Sequence, residues 1–427
     1  VDAPLRRDGS SRFSPDSRWG TFFSVGGSWA IKKEDFLKEA NWLDDLRLKV
    51  SYGQVGNNAL LESDGSSRYY GDRAFFDLGL NSNVEGGVLL ASVATPELSW
   101  EKQNTLNAGI TFSLFGRRLY GELEFFNKKV DDLIFSIPQP LSAAVTSIVR
   151  NTGSMYNRGV ELQLGADILR TQDFNWNIVT NWSVFKNRIT ALPAETPQII
   201  SGTKRREVGH SIYDYWLRQY AGVDPTDGAA LYIPADGTAA ANIRTVNGVQ
   251  YVTTQANAKF DYSGSAIPDL IGSVNNTFSY QNWSLSFLIN YQIGGKAYDS
   301  VYQGLMSTSS YGSALHQDIL NSWTPSNTGA TIPRADYGNS VNINATSSRW
   351  LVDASYWNIR NVNLSYALPQ TFLGKIDVKN ARVFVTAENL YLHSKRRGLN
   401  PSESFDGVNA NPYPQGRAVS VGINLSL

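Results

Sequence analysis

The stretch GVELQLGADI, residues 159–168, places Val160, Leu162, Leu164, Ala166 and Ile168 on one face and Glu161, Gln163 and Asp167 on the other. Successive side chains of a β-strand point to opposite sides of a sheet, so a period of two reads as a strand that is apolar on one side only. The pattern recurs along the chain. WGTFFSVGGSWAI sets Trp19, Thr21, Phe23, Val25, Trp29 and Ile31 on one face, broken at Gly27. TLNAGITFSL does so with Leu106, Ala108, Ile110, Phe112 and Leu114, and WSLSFLINYQI with Trp283, Leu285, Phe287, Ile289, Tyr291 and Ile293. The closing AVSVGINLSL, residues 418–427, alternates to its last residue. Such runs exceed the usual globular strand of about five or six residues and suit a tilted strand crossing a bilayer, which needs roughly nine to eleven.

Thirteen strands are expected, at about 19–31, 46–53, 98–114, 117–131, 155–170, 173–188, 208–222, 229–233, 266–280, 282–296, 353–368, 377–392 and 416–427. The connections between them alternate in character. One set is short and includes FGR near 116, RTQD near 171, DPTDG at 224–228, YQN near 281 and 368–376; KKEDFLKEANWLDD at 32–45 is longer, with room for a turn or two of helix. The other set is long and polar, at roughly 54–97, 132–154, 189–207, 234–265, 297–352 and 393–415. Outer-membrane barrels have this asymmetry, with short periplasmic turns and long extracellular loops. With a periplasmic C-terminus, all six long loops come out extracellular.

Composition agrees. Aromatic residues make up 12% of the 427 and charged residues 18%, against about 25% in an ordinary soluble domain. No run of 18 apolar residues exists, which excludes a helical span. The 38 basic and 38 acidic residues cancel, which argues against a nucleic-acid partner. With no cysteine there is no disulfide and no thiol nucleophile, and His210, His316 and His393 lack metal-ligand spacing. No signal peptide opens the chain at VDAPLRRDGSSRF, so either the protein is not exported or the chain is a piece of a longer one, and the strand pattern favours a piece. A secreted, lectin-like carbohydrate-binding β-protein with the apolar faces turned inward would share much of this pattern.

No catalytic, metal or cofactor site is expected. Asp131 and Asp132 are adjacent on a strand and so point to opposite faces, which prevents joint acid–base work. DPTDG reads as a tight turn, because its spacing lacks the further ligands of a calcium loop. The basic runs KRRE at 204–207 and KRR at 395–397 read as loop charge or as contacts to anionic lipopolysaccharide. Aromatic residues in the long connections, among them Tyr69, Tyr70, Tyr251, Tyr302, Tyr311, Trp323, Tyr337 and Trp350, offer faces for sugar rings.

Several stretches resemble the C-terminal part of the barrel of SusC/RagA-type TonB-dependent outer-membrane transporters. They include RRDGSSRFSPDSRWGTFFSVGGSWAI, ELSWEKQNTLNAGITFSLFGRRLYGELEFFNKKVDDLI, NTGSMYNRGVELQLGADILRTQDFNWNIVTNWSVFKNRITAL, ILNSWTPSNTGATIPR, SSRWLVDASYWNIRNVNLSYALP and NPYPQGRAVSVGINLSL. The resemblance implies an all-β, antiparallel transmembrane β-barrel portion. About 13 of the 22 strands would be present, with residues 1–427 lacking the N-terminal plug and first strands. It implies residence in a Gram-negative outer membrane and energised uptake of an oligosaccharide or a peptide. The partners would be outer-membrane lipid, a SusD-like surface lipoprotein, and TonB acting through the plug. Tyr311, Trp323, Arg334 and Trp350 are the expected substrate or partner contacts. The family closes on an aromatic residue, whereas Leu427 is aliphatic.

Overall fold

A computed structural model describes the chain except residues 62–66, 80–85, 141, 375–377, 410–412 and 427. Leu427 therefore lies outside the described residues. Twelve strands share one sheet, which we number β1 (Leu5–Gly9), β2 (Trp19–Ala30), β3 (Leu43–Asn57), β4 (Glu101–Leu114), β5 (Leu119–Asp131), β6 (Ser154–Arg170), β7 (Phe174–Ala191), β8 (Leu270–Tyr280), β9 (Trp283–Ile293), β10 (Tyr356–Ala367), β11 (Asn380–Ser394) and β12 (Ala418–Ser426). Their order in the sheet is their order in the chain, an antiparallel meander. The chain divides into two compact units. The first comprises Val1–Ile199, Arg206–Ile212 and Val274–Gln281; the second comprises Ile200–Arg205, Tyr213–Ser273 and Asn282–Leu427.

In the first unit the strand register lines up side chains of like character. Trp29, Leu48, Ile110, Leu123, Leu162 and Trp182 form one continuous cross-strand row from β2 to β7. One residue along, on the other face, runs Ser28, Lys49, Gly109, Glu124, Glu161 and Ser183. On that polar face Lys49 Nζ reaches Glu122 Oε1 at 3.0 Å. The second unit repeats the arrangement: Leu285, Leu364, Val385 and Val421 are opposite partners across β9 to β12, and Ser286, Asn363, Thr386 and Ser420 lie on the reverse face. The apolar rows are not buried. Leu123 is 40% exposed, Val160 44% and Val421 73%. A soluble sandwich would cover such a face, because apolar surface left in water is costly, so these uncovered rows suit hydrocarbon.

The buried apolar side chains gather instead around the long connections. In the first unit Phe13, Phe22, Leu60, Leu98 and Trp100 pack together, with Phe13 and Phe22 both edge-on to the Trp100 ring. In the second, Tyr215, Leu217, Ala266, Tyr298, Met306 and Trp350 form one cluster and Ala230, Tyr232, Val252, Ala258 and Ala345 another.

The strand list needs three corrections. The expected strands 208–222 and 229–233 do not join the large sheet. Asp214–Arg218 pairs with Phe260–Ser265, and Tyr220–Val223 pairs with Ala230–Tyr232, in small sheets of their own. The physical reason is visible in burial: Ala230, Leu231 and Tyr232 are buried on both faces, as in a protein core and unlike a lipid-facing strand. Residues 192–269 are therefore one long connection. The third correction is β1, whose sequence LRRDG shows little alternation yet pairs with β2 from Leu5–Phe23 to Gly9–Trp19. DPTDG, expected as a short connection between two sheet strands, lies inside this long connection; elsewhere short connections alternate with longer ones, and residues 31–42 hold short helical turns at Ile31–Lys33 and Asp35–Lys38.

Candidate functional site

The DPTDG segment forms the tight turn its composition dictates. Thr226 N–H donates to Asp224 Oδ1 at 2.8 Å, Gly228 N–H to the Asp224 carbonyl at 2.8 Å, and Ala229 N–H to Asp227 Oδ1 at 3.0 Å. Gly228 sits at φ +74°, a conformation that favours glycine. Arg244 Nη1 then donates to both carboxylates, at 3.0 Å to Asp224 Oδ2 and 2.8 Å to Asp227 Oδ2. Burial acts to raise the Asp227 pKa, but the Ala229 N–H, Arg244 and Arg334 outweigh it and hold the carboxyl below its usual range.

Two of the four expected contact residues converge on this turn. Trp323 donates from Nε1 to the Pro225 carbonyl at 3.0 Å, and its ring lies against Gly228 so closely that a Cβ there would stand 2.6 Å away. Arg334 donates its backbone N–H to the Gly228 carbonyl at 2.9 Å and Nη1 to the Asp227 carbonyl at 3.2 Å, while Nη2 meets Asp336 Oδ2 at 2.9 Å. Their polar groups are engaged in holding the turn. Trp350 is fully buried, donating from Nε1 to the Ala345 carbonyl at 2.9 Å with the Arg349 guanidinium 4.3 Å over its ring. It is a core residue of the second unit and presents no surface to a ligand. Tyr311 is fully exposed.

A different set of residues makes a recognisable platform. Alternation along Asp214–Arg218 sends Tyr215 and Leu217 into the core, each 0% exposed, and leaves Trp216 and Arg218 on the opposite face. There the neighbouring strand adds Phe260, stacked on Trp216 at 6.4 Å, and Tyr262, edge-on at 4.9 Å. Arg205 lies 4.2 Å over the Trp216 ring and Arg218 lies 4.6 Å over Phe260. Arg218 is itself held by donating from Nε to the Gln255 carbonyl at 2.9 Å. Partly exposed rings, two of them with a guanidinium group over one face, bring aromatic surface and hydrogen-bond donors together. The sequence reading passed over these residues because it placed 208–222 in a membrane strand. Their signal was present as the alternation in DYWLR, read with the wrong surroundings.

Beneath the platform, Lys204 Nζ lies 3.2 Å from the centre of the Tyr215 ring and donates to the Tyr213 carbonyl at 2.9 Å. Burial lowers its pKa to about 7, against the opposing pull of Asp406 and Asp214. Among the described residues no group of three His, Cys, Asp or Glu is placed to hold a metal. Asp131 and Asp132 each have their own cation, Lys129 at 2.8 Å and Lys102 at 3.1 Å.

Comparison with known proteins gives a consistent picture. Residues 1–390 match the family model described as TonB dependent receptor-like, beta-barrel. The chain is 29% identical over 443 residues to TonB-dependent receptor P26 of Formosa agariphila, covering 99% of this chain and 44% of that protein. It is 28% identical over 452 residues to TonB-dependent receptor SusC of Bacteroides thetaiotaomicron, covering 99% of this chain and 41% of that protein. Among solved structures, the RagAB peptide transporter superposes with a TM-score of 0.83 at 27% identity, over 99% of this chain and 45% of that one. The chain thus spans less than half the length of these relatives.

Proposed function

This chain belongs to the TonB-dependent receptor β-barrel family of the outer membrane, and from that premise we propose that it is barrel wall and extracellular loops of a SusC/RagA-type transporter that imports an oligosaccharide. The single observation that carries the substrate class is the Trp216–Phe260–Tyr262 platform, with Arg205 lying over Trp216 and Arg218 over Phe260, built on a long connection. Apolar ring faces stack on the C–H faces of sugars, and guanidinium donors suit their hydroxyls. The strands supply the wall. Their apolar rows face lipid and their Ser, Asn, Thr and charged rows face the lumen.

In this reading a longer protein supplies the plug and the remaining strands. An unpaired strand edge is not viable in lipid, so β1 and β12 pair with strands outside this chain. A SusD-like lipoprotein caps the loops, Tyr311 is a point of contact with that partner or with substrate, and TonB acts on the plug. Trp323, Arg334 and Trp350 serve the site indirectly by holding the loops that carry it. A second reading, peptide import, is favoured by the similarity to the RagAB peptide transporter.

The test is a binding titration with the full-length receptor in detergent, using mixed oligosaccharides and mixed oligopeptides as probes. Trp216→Ala should weaken oligosaccharide binding about two- to tenfold, the loss of one stacked ring. Unchanged oligosaccharide affinity in that variant refutes the platform. Binding of peptides alone transfers the proposal to the second reading.

A further inference from the structure

The outer face of the first unit changes character abruptly at one level. Along β5, β6 and β7 the apolar row Phe125, Val160 and Val184, each about 40% exposed, is continuous through opposite pairing. Two residues further toward the long connections, on the same face, stand Asn127, Arg158 and Lys186, again opposite one another. Two residues further still stand Lys129, Tyr156 and Arg188. Four cations, Lys129, Arg158, Lys186 and Arg188, therefore surround Tyr156 on a grid with spacings of about 5 Å across strands and about 7 Å along them.

The side-chain contacts agree with this placement. Arg158 stacks 4.8 Å over the Tyr156 ring and donates from Nε to Asn127 Oδ1 at 3.1 Å. Arg158, Lys186 and Arg188 are exposed. On these grid positions the nearest carboxylate is Asp131, the next outward residue of β5, and it is committed to Lys129 at 2.8 Å. A net positive patch thus sits directly on the border of the apolar band, at the end of the strands that bears the long connections.

We propose that this patch binds the phosphate groups of an anionic glycolipid in the outer leaflet. The level decides the ligand: Val160 contacts acyl chains, so Arg158 and Lys186 stand about 5 Å higher, where lipid head groups lie. Guanidinium forks match phosphate oxygens, and the Tyr156 ring belongs with the aromatic girdle at such an interface. The site draws on the outer-membrane placement of the strands and is independent of the transported substrate.

The probe is diphosphoryl lipid A added to the full-length receptor in dodecyl maltoside micelles, with retained lipid counted by native mass spectrometry. Each cation near an anionic lipid surface contributes about 1 kcal/mol, so each charge removed should weaken retention about fivefold. Arg158→Gln/Lys186→Gln/Arg188→Gln should then lose about a hundredfold, while Arg47→Gln/Lys49→Gln on the opposite face should retain lipid A as the unaltered receptor does. Resistance of the band to SDS before heating verifies that each variant is a folded barrel. Equal retention by the triple variant overturns the proposal. So does equal retention of fully dephosphorylated lipid A by the unaltered receptor, a comparison that needs no variant to fold. Complete displacement of lipid A by millimolar inorganic phosphate also overturns it, by making free phosphate the ligand.

Discussion

Replacing Leu164 by arginine tests which face of the sheet meets lipid. Val160 to Ile168 on β6 is eight steps of about 3.4 Å, roughly 27 Å along the strand, and a tilt of about 40° reduces that to a height of about 21 Å. That height is close to the apolar band of about 25 Å on known barrels. Leu164 is the midpoint of this run, so Leu164→Arg places a charge near the bilayer centre, where the cost on a lipid-facing strand is about 2–4 kcal/mol. A value near 3 kcal/mol lowers the folded-to-unfolded ratio by a factor on the order of a hundred. The adjacent Gln163→Arg puts the same charge on the opposite, polar face, where Gln163 is already exposed, and should shift stability by no more than about 0.5 kcal/mol. Urea unfolding of the full-length receptor in phospholipid vesicles, followed by tryptophan fluorescence, reads both. Taking the slope at about 3 kcal/mol/M, Leu164→Arg should lower the midpoint by about 1 M and Gln163→Arg by a small fraction of that. Equal shifts, or a larger one for Gln163→Arg, would refute the assignment of faces.

Three further outcomes are expected. Trp350→Ala should cost about 3–5 kcal/mol in the second unit, because a fully buried ring leaves a cavity beside Tyr215 and Leu217; hydrogen exchange at residues 215–217 should accelerate accordingly, and unchanged exchange would show that the ring does not support that core. Gly228→Ala should open the DPTDG turn, combining a left-handed strain of about 1–2 kcal/mol with displacement of the Trp323 ring; faster protease cleavage between residues 224 and 244 is the readout. Lys204 makes the second unit pH-sensitive in a defined direction. Its folded pKa of about 7 lies below the ordinary lysine value of 10.5, so between the two the unfolded chain binds more protons and stability rises with pH, levelling off below pH 7. Lys204→Met should flatten that slope between pH 7 and 9, and an identical slope in the variant would remove Lys204 as its source.

Much of the wall was legible in the sequence. Eleven of the twelve sheet strands lie where period-two alternation placed them, because alternation is a local consequence of backbone geometry and needs no knowledge of distant neighbours. GVELQLGADI announces its own two faces, and the register observed for Leu162 against Leu123 and Trp182 simply aligns faces that were already determined. The loop region was read less well, for one physical reason. Alternation states which side chains avoid water but not whether lipid or protein covers them. DYWLR carries the same period as a membrane strand, yet its apolar side is covered by Tyr298, Met306 and Trp350, residues more than 80 positions further along the chain. Only those long-range contacts turned 208–233 into loop structure, buried Trp350, brought Trp323 and Arg334 to one turn, and left Trp216 facing outward beside Phe260 and Tyr262. The wall was decided by local geometry, and the candidate site by tertiary packing.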